Sequence, residues 1–118
     1  MYSLKVEGSF SSAHNLRGYK GKCEDLHGHN WRIEVIVRSE KLNNIGIVVD
    51  FKELKKKLNA VLEEMDHKYL NKLAYFNKVN PTSENIAKYI YKKLVSKIPL
   101  LDSVTVWENA TSCATYEE

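Results

Sequence analysis

The sequence has little cysteine, and this scarcity excludes one common way of stabilising a small protein. Two cysteines, Cys23 and Cys113, occur in 118 residues. Two thiols form at most one bridge, so the fold does not depend on a disulfide framework of the kind found in small secreted domains. We therefore expect free thiols and a cytoplasmic protein.

Long apolar runs are also missing. A helix that crosses a bilayer needs about 20 consecutive apolar residues, and no run in this chain approaches that length. Residues 1–7 alternate apolar and polar side chains, which is typical of a strand rather than of a secretion signal. The sequence therefore predicts no association with a membrane.

A large excess of one charge is missing as well. The chain has 18 basic and 15 acidic residues, for a net charge of +3. This mild balance does not indicate a nucleic-acid partner, although a locally basic pocket would still suit a phosphorylated substrate. With 43% hydrophobic residues and no repeat or linker, the length fits one domain over residues 1–118.

Hydrophobic periodicity predicts the order strand, strand, helix, helix, strand. Apolar side chains alternate from Tyr2 towards Phe10, and again from His29 to Val37. An extended apolar run follows at 45–49. A last strand is expected around 104–107, with a short addition at 111–116.

Two segments have the apolar spacing of helices. The first runs from an N-cap at Asp50, with Glu53 completing a capping box, to about Met65. The second begins at Thr82 or Ser83 and keeps its apolar spacing to Ile98, where Pro99 follows.

Short connections favour an antiparallel sheet with both helices on one face, an α+β fold. The free edges of such a sheet favour self-association.

The richest chemistry is concentrated in residues 23–29. His27 and His29 are two positions apart, so both imidazoles lie on one face if a strand begins there. His14, at the end of the first strand, is the best third ligand because the first two strands are expected to pair. Three histidines with an open fourth position are typical of catalytic zinc. The alternative is that these are ordinary surface histidines.

Cys23 has two functional interpretations. It is either a fourth ligand that closes a structural zinc site, or a reactive thiolate whose pKa is lowered by Lys22 and the nearby metal. The spacing fits both. An inert thiol fits the polar surroundings of this loop less well.

Further candidates lie outside that stretch. Asp66 and His67 form a carboxylate–imidazole pair of the kind used in proton transfer, or a solvated helix end. Glu108, at the end of an apolar strand, suits the N–H donors of a planar heterocycle, or faces water. Thr82 and Ser83 are a helix cap whose amides also suit a ligand's acceptors.

These pieces, in this order, resemble the 6-pyruvoyltetrahydropterin synthase / 6-carboxytetrahydropterin synthase family. The resemblance extends over essentially the whole chain, which makes it more specific than any one motif. It is carried by Glu108 and by the stretches 10–14, 23–29, 49–54, 65–71 and 80–85.

The resemblance implies a fold, a cofactor and roles for residues. The implied fold is the tunnelling fold, a four-stranded antiparallel sheet with two helices. Copies of it assemble into a barrel, as trimers that stack into hexamers. Zinc would be held by three histidines, and the substrate would be 7,8-dihydroneopterin triphosphate. The matching residues are His14, His27 and His29 for zinc, Cys23 for the catalytic base, Asp66 and His67 for the proton relay, and Glu108 for the pterin anchor.

The resemblance also indicates a branch of the family. Three residues separate Cys23 from His27, as in the bacterial and archaeal carboxypterin branch that supplies 7-deazaguanine (queuosine or archaeosine) synthesis. The pyruvoyl branch typically has a longer interval. Glu24 departs from the glycine that is common in the carboxypterin branch. Relatives that form a hydroxymethylpterin carry glutamate in place of the cysteine, and a non-catalytic homologue with a structural metal is an alternative of another class.

Overall fold

The computed structural model describes residues 1–21 and 25–118. In these residues the chain forms a four-stranded antiparallel sheet in the order β1-β2-β3-β4, together with two α-helices. This confirms the predicted α+β class. The elements are β1 Tyr2–His14, β2 His27–Ser39, α1 Phe51–Glu63, α2 Ser83–Leu94, β3 Leu101–Asn109 and β4 Ser112–Glu117.

Both helices begin at the predicted caps. The Asp50 side chain accepts the N–H of Lys52 at 2.8 Å, and the Thr82 hydroxyl accepts the N–H of Asn85 at 3.1 Å. Each cap satisfies an amide that has no partner inside its helix.

The predicted end of α2 is wrong by four residues, since the helix ends at Leu94. Ile98 is nevertheless buried, and its N–H still donates to the Leu94 carbonyl at 2.8 Å. The residues after Leu94 therefore form a turn that keeps the apolar spacing of the helix and packs on the core. Periodicity alone does not distinguish such a turn from a helix.

The extended run predicted at 45–49 is also wrong, because these residues form turns and bends. The Asn43 side chain accepts the N–H groups of Ile45 and Ile47, at 3.0 and 3.2 Å. A local side-chain bond of this kind competes with pairing in a sheet.

The core lies between the helices and one face of the sheet. Phe10 of β1, Trp31 and Ile33 of β2 and Val106 of β3 are all buried on that face. α1 packs on β1, and α2 packs on β3 and β4. Gly8 allows the close approach of α1, because a Cβ there would lie 2.7 Å from the Leu62 Cδ1 atom.

The opposite face of the sheet is polar. Glu34 is 9% exposed there, and its Oε1 accepts hydrogen bonds from Arg32 at 2.7 Å and from the Trp107 indole at 3.1 Å. The Lys5 ammonium lies 3.6 Å from its other oxygen. Burial of this carboxylate is thus matched by three donors.

No helix of the described residues is long and apolar enough to cross a bilayer.

Candidate metal centre

The pairing of β1 with β2 brings the three predicted ligands together. His14 pairs with His27, and Ser12 pairs with His29. Since residues two apart on a strand share a face, all three imidazoles lie on the helix-covered face at one end of the sheet. The expectation that the first two strands pair is confirmed.

The three rings form a tight cluster. The Nε2 atoms of His14 and His27 are 3.0 Å apart. The centroid of the His29 ring lies 5.1 Å from that of His14 and 4.8 Å from that of His27. Trp31 packs edge-on against two of these rings and forms the inner wall of the cluster.

Backbone carbonyls determine which nitrogen of two rings faces the cluster. The Nδ1 atom of His14 lies 2.7 Å from the Pro81 carbonyl oxygen, and that of His27 lies 2.7 Å from the Asp25 carbonyl oxygen. A carbonyl only accepts, so both Nδ1 atoms carry the proton. In the neutral rings, both Nε2 atoms are therefore unprotonated and available as metal ligands.

His29 supplies the third nitrogen. Its Nε2 atom is buried and has no hydrogen-bond partner among the described residues. Burial lowers the pKa of both His14 and His29, and the neighbouring His27 lowers it further, which favours the neutral rings that metals bind. A buried nitrogen that makes no hydrogen bond, close to two other ring nitrogens, fits a resident metal ion.

Glu108 completes the cluster from β3. Its Oε1 lies 3.1 Å from His29 Nε2, and its Oε2 accepts a hydrogen bond from the Ser83 hydroxyl at 3.1 Å. One ligand atom from each of Glu108, His14, His27 and His29 lies within 4.8 Å of the others. Three imidazole nitrogens and a carboxylate oxygen are a donor set that zinc accepts.

Asp66 and His67 lie together, outside the cluster of the three histidines and Glu108. Their Oδ2 and Nδ1 atoms are 2.9 Å apart, and the His67 side chain is 82% exposed. The backbone of Ser11 on β1 holds both residues, donating to Asp66 Oδ1 at 2.8 Å and accepting the His67 N–H at 2.6 Å. The pair therefore lies along the outer edge of β1, and it is not part of the four-atom cluster.

The local geometry of this pair is constrained. His67 has a φ of 55°, a backbone conformation that is uncommon for a residue other than glycine. The N–H of Ser11 lowers the pKa of the Asp66 carboxyl, and the His67 ring lowers it further. The carboxylate is thus kept ionised beside the imidazole.

The remaining predicted residues differ in position. Ser83 reaches the cluster through Glu108, whereas the Thr82 hydroxyl is engaged as the cap of α2. Cys23, predicted as the catalytic thiolate, lies outside the described residues. Sequence reasoning missed the Pro81 carbonyl, because no residue type marks a backbone acceptor.

Known proteins resemble this chain over most of its length. The family model of 6-pyruvoyl tetrahydropterin synthase matches residues 3–118. A 6-carboxy-5,6,7,8-tetrahydropterin synthase of Synechocystis sp. is 41% identical, covering 98% of this chain and 93% of its own. A dihydroneopterin monophosphate aldolase of Pyrococcus furiosus is 38% identical, covering 85% and 83%.

Solved structures show the same likeness. The 6-pyruvoyl tetrahydropterin synthase of Caenorhabditis elegans superposes with a TM-score of 0.91 at 34% identity, covering 99% of this chain and 95% of that one. Sequence and structure therefore agree over the whole length. The chain belongs to the 6-pyruvoyl tetrahydropterin synthase family, whose members act on pterins.

Proposed function

We propose that the protein is a zinc-dependent 6-carboxy-5,6,7,8-tetrahydropterin synthase. It would convert 7,8-dihydroneopterin triphosphate and water into carboxytetrahydropterin, acetaldehyde and triphosphate, for 7-deazaguanine (queuosine or archaeosine) biosynthesis. The observation that carries the proposal is the cluster of three histidine nitrogens and one carboxylate oxygen within 4.8 Å of one another. The Synechocystis relative supports the choice of branch.

The metal would be held by His14, His27 and His29. Bound zinc would polarise the oxygens of the substrate's side chain as a Lewis acid. The carbonyls of Pro81 and Asp25 accept the Nδ1–H groups of His14 and His27, which favours the tautomer with an unprotonated Nε2 in the metal-free protein. The protein therefore supplies a site whose ligand tautomers are set in advance.

The pterin ring would be recognised beside the metal. Glu108 offers a carboxylate to the N–H donors of the ring, and Ser83 orients that carboxylate. The N-terminal end of α2, capped by Thr82, adds backbone amides that suit an acceptor on the ring.

Proton transfer is assigned to Cys23 and to His67 with Asp66. Asp66 holds the Nδ1 side of the exposed His67 ring, which favours Nε2 as the atom that exchanges protons. In one chain this pair lies on the outer edge of β1. A homo-oligomer, a trimer or hexamer, whose copies meet along this edge would bring the relay of one copy towards the metal of another.

Two further predictions belong to this proposal. We place the reaction in the cytoplasm, because the two cysteines suit free thiols. We also propose that residues 1–118 act as a single domain, since both helices and β1, β2 and β3 contribute buried residues to one core, and Tyr116 of β4 packs against it.

Product analysis tests the proposal. Zinc-loaded protein is incubated with 7,8-dihydroneopterin triphosphate, and the products are identified by mass spectrometry. We expect acetaldehyde and a carboxypterin from the wild-type protein and from Cys113→Ala, whose thiol is exposed on β4. We expect neither product from Cys23→Ala. No turnover by folded, zinc-loaded protein would contradict the proposal and favour a non-catalytic zinc- or pterin-binding homologue.

The same experiment tests a second candidate. The Pyrococcus relative, named as an aldolase, favours a cut that forms a hydroxymethylpterin. The C. elegans structure, named as a 6-pyruvoyl tetrahydropterin synthase, favours a different product, a pyruvoyl pterin. Either product in place of the carboxypterin would assign the protein to that branch.

A further inference from the structure

The backbone that leaves His14 is held by two asparagine side chains. Asn71 accepts the N–H of Asn15 at 3.0 Å and donates to its carbonyl at 2.9 Å. Asn80 does the same with Arg17, at 3.0 and 2.8 Å. The two side-chain amides thus make the backbone hydrogen bonds to Asn15 and Arg17 that a neighbouring strand would otherwise make.

Asn80 connects this segment to the carbonyl that holds His14. Its own carbonyl accepts the Thr82 N–H and the Asn85 side-chain amide, both at 2.9 Å. The next residue is Pro81, whose carbonyl accepts the His14 Nδ1–H. Proline has no backbone N–H, so Pro81 cannot donate a hydrogen bond that would hold its own position. The turn is anchored by the residues on either side of it.

Arg17 adds a second attachment to the same loop. Its guanidinium donates to the carbonyls of Phe76 and Val79, at 2.6 and 3.0 Å. The loop before α2 is therefore attached to the segment after His14 through both the side chain and the backbone of Arg17. Movement of either segment would change the position of Pro81 relative to the His14 ring.

We propose that Asn80 is a positioning residue for the metal centre. It holds the 80–82 turn so that the Pro81 carbonyl stays within hydrogen-bond distance of His14 Nδ1, which leaves His14 Nε2 bare towards the cluster. This inference rests on the proposed function in taking His14 as a metal ligand. It adds a residue that contacts neither metal nor substrate.

The expected effect is on metal affinity. Loss of a partner that orients a ligand typically weakens metal binding about 10–100-fold. Asn80 acts through Pro81, so we expect the low end, about tenfold.

The test measures zinc dissociation constants by competition with a chromogenic chelator, for wild type, Asn80→Ala and Asn43→Ala. Asn43 is the control, since its side chain likewise makes two hydrogen bonds to the backbone, by accepting two N–H groups in the loop before α1. Circular dichroism establishes the temperature at which all three are folded. Among these three proteins, we expect weaker zinc binding only in Asn80→Ala. A fourth protein, Asn80→Asp, keeps the acceptor for the Arg17 N–H, and we expect its zinc affinity to fall between those of wild type and Asn80→Ala. Equal affinity in folded wild type and Asn80→Ala would overturn the proposal.

A measurement on the wild-type protein gives an independent answer. Nitrogen-15 NMR of the metal-free chain should show His14 protonated at Nδ1, with a mixture of tautomers appearing in Asn80→Ala. Protonation of the wild-type ring at Nε2 would overturn the proposal, as would failure of both Asn80 variants to fold, which would make Asn80 a residue of general stability. Turnover is assayed separately. Asn80-dependent zinc binding without turnover rejects the proposed reaction alone, and turnover with unchanged zinc affinity in Asn80→Ala rejects the positioning role alone.

Discussion

The Oε1 atom of Glu108 lies 3.1 Å from the Nε2 atom of His29. The carboxylate is therefore close enough to serve a metal held by the histidines, while its other oxygen accepts a bond from Ser83. The family resemblance assigns the same carboxylate to the pterin ring. The two roles predict different results when Glu108 is changed.

The Glu108→Gln variant separates these roles. If Glu108 anchors the pterin, loss of its charge removes a charge-assisted hydrogen bond worth about 1.5–3 kcal/mol, or roughly 10–100-fold in KM. We expect that rise in KM, with zinc affinity within about threefold of wild type. Glu40→Gln, in an exposed loop, carries the same charge change and should leave both quantities unchanged. Loss of zinc without a change in KM would instead make Glu108 a metal ligand.

Two histidine variants should affect different steps. His29→Ala removes a nitrogen of the cluster, so we expect nearly complete loss of bound zinc and of the thermal stabilisation that zinc provides. His67→Ala should keep its zinc, because His67 lies outside the cluster, while turnover falls by about 10²–10⁴. Metal content is measured by atomic emission and turnover by product formation. Loss of zinc from His67→Ala would contradict the site as assigned.

Substitution of Gly8 should destabilise the fold. An alanine there would push against Leu62 and Leu58 of α1, and overpacking of this kind typically costs about 1–3 kcal/mol. Gly28→Ala is the matched control, since a Cβ there meets only the Ser12 carbonyl, at 3.9 Å. Urea unfolding of the two metal-free variants measures the difference. Equal midpoints would show that α1 does not require the glycine.

Stability should depend on pH through Asp66. The Ser11 N–H and the His67 ring lower the pKa of its carboxyl below the ordinary value of 3.8. A carboxyl whose pKa is lowered by folding stabilises the fold above its ordinary pKa, and this contribution disappears as the pH falls through the lower, folded value. The unfolding midpoint of wild type should therefore exceed that of Asp66→Asn at neutral pH, with the gap closing in acid. A gap that persists unchanged below pH 3.8 would contradict this assignment.

Local patterns in the sequence were sufficient for much of the fold and part of the site. Alternation identified β1 and β2, and the caps at Asp50 and Thr82 located the starts of both helices. These features depend on neighbours only a few residues apart. The two-residue spacing of His27 and His29 likewise places both rings on one face, since side chains alternate along any strand.

Other features depend on contacts between distant parts of the chain. Glu108 reaches His29 only because β3 lies beside β2, and Pro81 reaches His14 only because the loop before α2 folds over the end of β1. Asp66 and His67 are neighbours in sequence, yet their place on the outer edge of β1 follows from hydrogen bonds to Ser11. The sequence by itself thus determined which residues are candidates for the chemistry and which strand faces they share. The tertiary structure alone decided which of them meet, because backbone carbonyls and side chains from segments far apart complete the site.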